Sequence, residues 1–291
     1  MGSLSESDRK FVACMRHRFG SSLEPKANKP RRFTDRVLGI YQSYWHAALT
    51  MPNMRHAQEK RLDASLRRLL KVPMSVDPEP ELEKRIRAGG YHELGGHTGL
   101  LRDLMVWAKE DDKLTHVALP EGEYDVKVDY LDDFKSFGWS YYATCGTAST
   151  GGWTTDDALH VVVPRYESLD GEDFQVNFLD HESQHFADKA RFKDLKPWEL
   201  EYRAKLVEVA MAHQTRAKVL TSFVENQGDD PADAHSYADR KVLDELVKRL
   251  RLSRVQDLYL VDRARLQSAA RDILLEDSRQ RLAASAHSEP S

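Results

Sequence analysis

From residue 34 to 71 apolar side chains recur every three or four positions: Val37, Ile40, Tyr41, Tyr44, Trp45 and Ala48, then Leu62, Leu66, Leu69 and Leu70. That period predicts helix, restarted at Met51-Pro52 because proline suits a first helical turn. Pro73 to Pro80 carries three prolines and predicts a connector, with a short helix from about Pro80 to Ala88. Gly89-Gly90 and Gly95-Gly96 bracket a predicted turn holding His92 and His97. Leu101, Leu104, Met105 and Trp107 then predict another helix.

The pattern changes in the middle of the chain. His116 to Leu119, Tyr124 to Leu131, Trp139 to Thr144 and Ala158 to Val163 are short aromatic or β-branched runs separated by glycines and acids. They predict a small, mainly antiparallel sheet. The glycine-rich stretch from Cys145-Gly146 to Gly151-Gly152-Trp153 lacks the lysine of a phosphate-binding loop. Helical periodicity returns over 173–190, 197–225, 232–251 and 253–280. The expected architecture is α+β and mostly helical, with the sheet preceding the helix at 173–190. Its expected division is an N-terminal helical region, 1–115, and a second region, 116–291, with the sheet at 116–165 and helices at 173–280; the two could form one compact unit.

Composition narrows the function classes. The chain has 291 residues with 43 Lys and Arg against 47 Asp and Glu, a net charge of −4. An acidic balance gives no general attraction to a phosphate backbone, so nucleic acid is not an expected partner. The basic runs Lys29-Pro30-Arg31-Arg32 and Arg67-Arg68 are short and read as solvated faces. Cys14 and Cys145 are the only cysteines, too few for a disulfide scaffold and in no CxxC pair. A single bridge between them is possible but unsupported, and two reduced thiols fit any reducing compartment. Cys145 has no paired base in view and reads as structural. No apolar run approaches the length of a membrane span. The first fifteen residues, interrupted by Asp8, Arg9 and Lys10, lack a signal-peptide core, which points to a soluble protein of the cytoplasm.

One segment carries chemistry. His181-Glu182-Ser183-Gln184-His185 is an HExxH motif. Histidines at i and i+4 lie one above the other on a helix face, so both imidazoles can reach one Zn²⁺. The intervening glutamate can take a proton from a zinc-bound water. Phe174, Phe178, His181 and His185 share a stripe that should face the interior, where an unpartnered histidine pair would be costly. Glu201 lies sixteen positions beyond His185, and the small Ala204 one turn later would let its helix approach closely. The other histidines have plainer roles: His92 and His97 as solvated loop residues, His213 as a core residue continuing the Tyr202, Leu206, Val209 stripe. Trp139, Tyr141 and Tyr142 read as packing.

The motif followed by a helix with glutamate three residues before alanine resembles the gluzincin zinc metallopeptidases over residues of about 139 to 210. That resemblance implies His181, His185 and Glu201 as zinc ligands, one zinc per chain, and Glu182 as general base and then acid toward a peptide or protein substrate. It also implies an upstream edge strand that holds substrate, for which Trp139 to Cys145 and Ala158 to Val163 are placed. Many members carry an aspartate four residues after the ligand glutamate; here that position is Lys205, and Glu208 or Asp188 would have to orient a histidine instead. By helical phase Glu199 stays open as the alternative third ligand. His235 and Tyr237 are the candidates to steady an oxyanion. The absence of a glycine and third histidine after His185 excludes the metzincin pattern. Two other outcomes fit the same residues: a zinc-bearing or metal-free binding protein that keeps the motif without peptidase activity, and a zinc hydrolase of non-peptide amides or esters.

Overall fold

A computed structural model describes residues 5–20 and 32–288. Lys29, Pro30 and Arg31 of the first basic run lie outside the described residues. The architecture is α+β, and the chain parts into two compact units: residues 1–110 with 131–150, and residues 111–130 with 151–291. The division therefore interleaves, and the first unit is not purely helical.

In the first unit, α1 (Glu6–Phe19), which the apolar pattern does not predict and which has no buried residue, starts at a Ser5–Asp8 capping box. The helices α2 (Phe33–Thr50), α3 (Arg55–Leu70) and α4 (Glu79–Ala88) appear where helix is expected, with a 3-10 turn at Pro52–Met54 where proline restarts the helix. Val37, Tyr41, Trp45, Leu62, Leu66 and Leu70 form the core. Of the second basic run Arg68 is exposed, whereas Arg67 is half-buried: it pairs with Asp63 at 2.7 Å and donates to the Pro73 carbonyl at 2.8 Å, closing the end of α3 onto the connector.

The predicted turn and helix after residue 90 are instead an antiparallel hairpin, β1 (His92–Thr98) and β2 (Leu101–Trp107), so His92 and His97 stand on a strand. The misreading has a physical cause. Nearly every residue of β2 is buried, so it lacks the alternation that marks a half-exposed strand. The long hairpin β3 (Lys109–Leu119) and β4 (Gly122–Asp132) lies mostly in the second unit, and β5 (Ser136–Phe137) returns to pair with β2. Trp139 to Thr144, expected as a strand, is the short helix α5 (Trp139–Ala143). Gly138 precedes it at φ 89°, and any Cβ there would strike the Asp103 carboxylate, which accepts the Trp139 N–H at 2.7 Å. Cys14 and Cys145 are joined by a disulfide, the alternative that the sequence leaves open without supporting it. No spacing rule links cysteines 131 residues apart.

In the second unit β6 (Gly152–Thr154) pairs antiparallel with β7 (Leu159–Val162) in a four-stranded sheet of order β3-β4-β7-β6, with β6 at an edge. The edge strand thus comes from the stretch read as a glycine loop, while Ala158 to Val163 is its neighbour. A continuous helical segment follows: α6 (Glu172–Phe174), a π-helical turn (Gln175–Asp180) and α7 (His181–Arg191). Next come α8 (Pro197–Met211), α9 (Arg216–Asn226), α10 (Ala234–Leu250), a 3-10 turn (Val255–Leu260) and α11 (Arg263–Ser288). The expected helix over 197–225 breaks after Met211, because the Glu172 carboxylate accepts the backbone N–H groups of His213, Gln214 and Thr215. His213 is accordingly exposed and not part of the core. No helix among the described residues is long and apolar enough to cross a membrane.

Candidate metal centre

The centre is built on α7 and α8, which pack against each other. α8 is buried on every side from Tyr202 to Ala210, and Ala204 is fully buried, so the two helices can approach closely. Apolar residues fill most of that surface. Arg203, Lys205 and Glu208 interrupt it, and a buried charge needs a partner. Lys205 finds Asp239 of α10 at 2.7 Å. Glu208 and Arg203 face α7.

The two motif histidines are both buried and point at a common volume, with their Nε2 atoms 3.1 Å apart. Glu201 completes a triangle: Oε1 lies 3.3 Å from His185 Nε2 and Oε2 lies 3.5 Å from His181 Nε2. A tetrahedral ion with bonds of about 2.0–2.2 Å sets its ligand atoms about 3.3–3.6 Å apart; the two sides to Glu201 have that length, and the side between the histidines, at 3.1 Å, is slightly shorter. His181, His185 and Glu201 are the one such cluster among the described residues. Glu199, the rival, is turned away: its carboxylate accepts the Lys196 N–H at 2.8 Å and pairs with Arg281 at 3.0 Å.

The neighbours of the triangle favour a cation. Glu208 lies 2.6 Å from His181 Nδ1, so that nitrogen donates and Nε2 is left to face inward. Burial opposes charge on His181, yet the bonds to Glu201 and then Glu208 outweigh it and push the imidazole up to about 10. Burial would likewise raise Glu201, but His181, His185 and His235 hold its carboxyl far below the usual range. His185 Nδ1 is buried without a hydrogen-bond partner. Glu208 therefore takes the place expected of an aspartate at position 205, whereas Asp188 pairs with Arg203 at 2.8 Å and does not orient a ligand directly.

Of the two candidates for an oxyanion donor, only His235 reaches the site. Its Nδ1 lies 2.9 Å from Glu201 Oε2, and its side chain is 70% exposed. The Glu201 contact is the largest influence raising its pKa, ahead of the opposing effect of burial. Tyr237 sets its ring edge-on against Trp198, 5.1 Å between centroids.

Thr154 is a site residue that sequence patterning missed. Its hydroxyl donates to the Glu182 carboxylate. The contact depends on Gly152, where a Cβ would collide with the His160 carbonyl and the Phe178 ring of the π turn. Only glycine lets β6 press onto that turn and carry Thr154 to the motif glutamate. The π turn itself sits immediately before His181, a placement common at functional sites. A threonine two residues after two glycines was the available signal, but nothing in the sequence fixed its distance from Glu182.

No family model, curated protein or solved structure matches this chain.

Proposed function

We propose that this protein is a zinc-dependent hydrolase of peptide bonds, with His181, His185 and Glu201 as ligands to one zinc per chain and Glu182 as general base. The observation that carries this is the convergence of two imidazole Nε2 atoms and one carboxylate into a triangle of zinc size, with a second carboxylate beside it. Three protein ligands leave a fourth position for water, the pattern of catalytic and not structural zinc. When bound, zinc lowers the pKa of its water to about 7 and polarises a carbonyl.

The chain's own residues supply the rest. Glu182 takes the proton of the attacking water and delivers it to the leaving amine. Thr154 holds that carboxylate from the edge strand, so the strand that would lie alongside an extended peptide also orients the base. Glu208 sets the tautomer of His181, and His235 steadies Glu201 while facing solvent, where it can donate to a developing oxyanion. The Cys14–Cys145 bridge favours an oxidising compartment over the cytoplasm.

Hydrolysis of a mixed peptide library, measured with zinc content, tests the proposal. Cleavage that disappears with a chelator and returns with zinc supports it. A zinc-loaded protein that leaves the library intact refutes the peptidase activity.

A further inference from the structure

Beside the triangle lies a second buried cluster that the proposed chemistry does not use. Its centre is Arg203, with no solvent exposure at all. Its guanidinium meets three carboxylates: Asp188 of α7 at 2.8 Å, Asp277 of α11 at 2.5 Å, and Glu121 in the turn between β3 and β4 at 2.5 Å. Arg191 of α7 reaches the other Glu121 oxygen at 2.9 Å. Gln184, inside the motif, donates to Asp188 at 2.8 Å. Burial works against charge on Arg203, and the surrounding carboxylates outweigh it.

The position of this cluster relates it to the metal ligands. Arg203 is two residues beyond Glu201, and Asp188 three beyond His185. Three polar pairs join α7 to α8: His181 with Glu208, His185 with Glu201, and Asp188 with Arg203. The last pair is the only one of the three without a ligand in it. Asp277 also pairs with Arg281, which holds Glu199 away from the triangle. One ion network therefore fixes the register of the two ligand-bearing helices and retains the competing carboxylate.

We infer that Arg203 is a positioning residue of the zinc site, acting through Asp188 and Asp277 to set the spacing of His181, His185 and Glu201. This rests on the zinc site proposed above. Arginine's planar fork is required, since three carboxylates approach from different directions and an ammonium cannot hold them in fixed geometry.

The test compares Arg203→Lys and Asp188→Asn with Leu246→Ala, which opens a cavity at a fully buried apolar residue of the same unit that is not itself a member of the network. Zinc affinity by chelator competition, the visible spectrum of the cobalt(II) form, and the thermal midpoint of the metal-free protein are measured for each. Arg203→Lys and Asp188→Asn should each weaken zinc by about 10- to 100-fold and alter the cobalt spectrum, while Leu246→Ala lowers the midpoint and leaves affinity within about twofold. Should Arg203→Lys fail to fold, Asp188→Asn carries the comparison. Affinity within about twofold of the parent for the network variants overturns the inference and leaves the zinc site standing, and so does an equal loss in Leu246→Ala. A parent that binds neither zinc nor cobalt overturns both.

Discussion

Buried acids do different work in the two units. In the first, Asp103 is buried and its carboxylate accepts the backbone N–H groups of Leu104, its neighbour in β2, and of Trp139 at the start of α5. Glu93 has one oxygen buried without a partner. In the second unit Glu201, Glu208, Asp188 and Glu121 meet imidazoles or guanidinium groups from other elements, and two of the imidazole nitrogens still face a shared space. A buried carboxylate bonded to backbone N–H groups stabilises a shape. A set of them that leaves convergent lone pairs defines a site.

That contrast can be broken most sharply at the rival glutamates. Glu201→Gln should reduce zinc affinity by more than the 10- to 100-fold typical of a supporting group, while Glu199→Gln should leave it nearly unchanged. Equal effects would remove the distinction between a ligand and a surface pair. Next in size is Glu182→Gln, expected to retain zinc and lose at least about a hundredfold in turnover. Full activity would exclude Glu182 as the base.

The first unit should answer to stability alone. α1 has no fully buried residue and is tied to the loop after α5 by the Cys14–Cys145 bridge. Reduction, or Cys14→Ser, should cost on the order of 2–4 kcal/mol in unfolding of that unit, with zinc content unaltered. Smallest is the effect at Glu93. Burial, with the charges of Glu83 and Glu79 adding to it, pushes its carboxyl up to about 7 from 4.5. Its folded pKa is raised, so its contribution is fully present below about 4.5 and is lost as pH rises through about 7. Glu93→Gln should flatten that part of the stability profile in metal-free protein, measured by thermal melts across the window; an unchanged slope would show that another group is responsible.

The motif and its geometry were legible because a helix converts a five-residue spacing into one face, and the Glu201-to-Ala204 spacing marked the close approach of the next helix. The α+β class followed from the change of period between residues 116 and 163. What escaped the sequence depended on long-range packing. β2 is buried on both faces and mimics a helix, α5 is a single turn after a positive-φ glycine, and β6 is three residues long within a glycine-rich stretch. Thr154 acquires its role only because Gly152 allows the strand to close on Phe178. Arg203, Lys205 and Glu208 within an apolar helix were a visible signal of buried pairs, but their partners come from residues 15 to 82 positions away and no local rule names them.

The most direct measurement is the zinc content of the purified full chain by elemental analysis, beside that of the His181→Ala variant. The account predicts one zinc per chain in the parent and its near-complete loss in the variant, with Glu199→Gln protein still loaded. Parent and His181→Ala proteins with the same metal content, whether one or none, would contradict it.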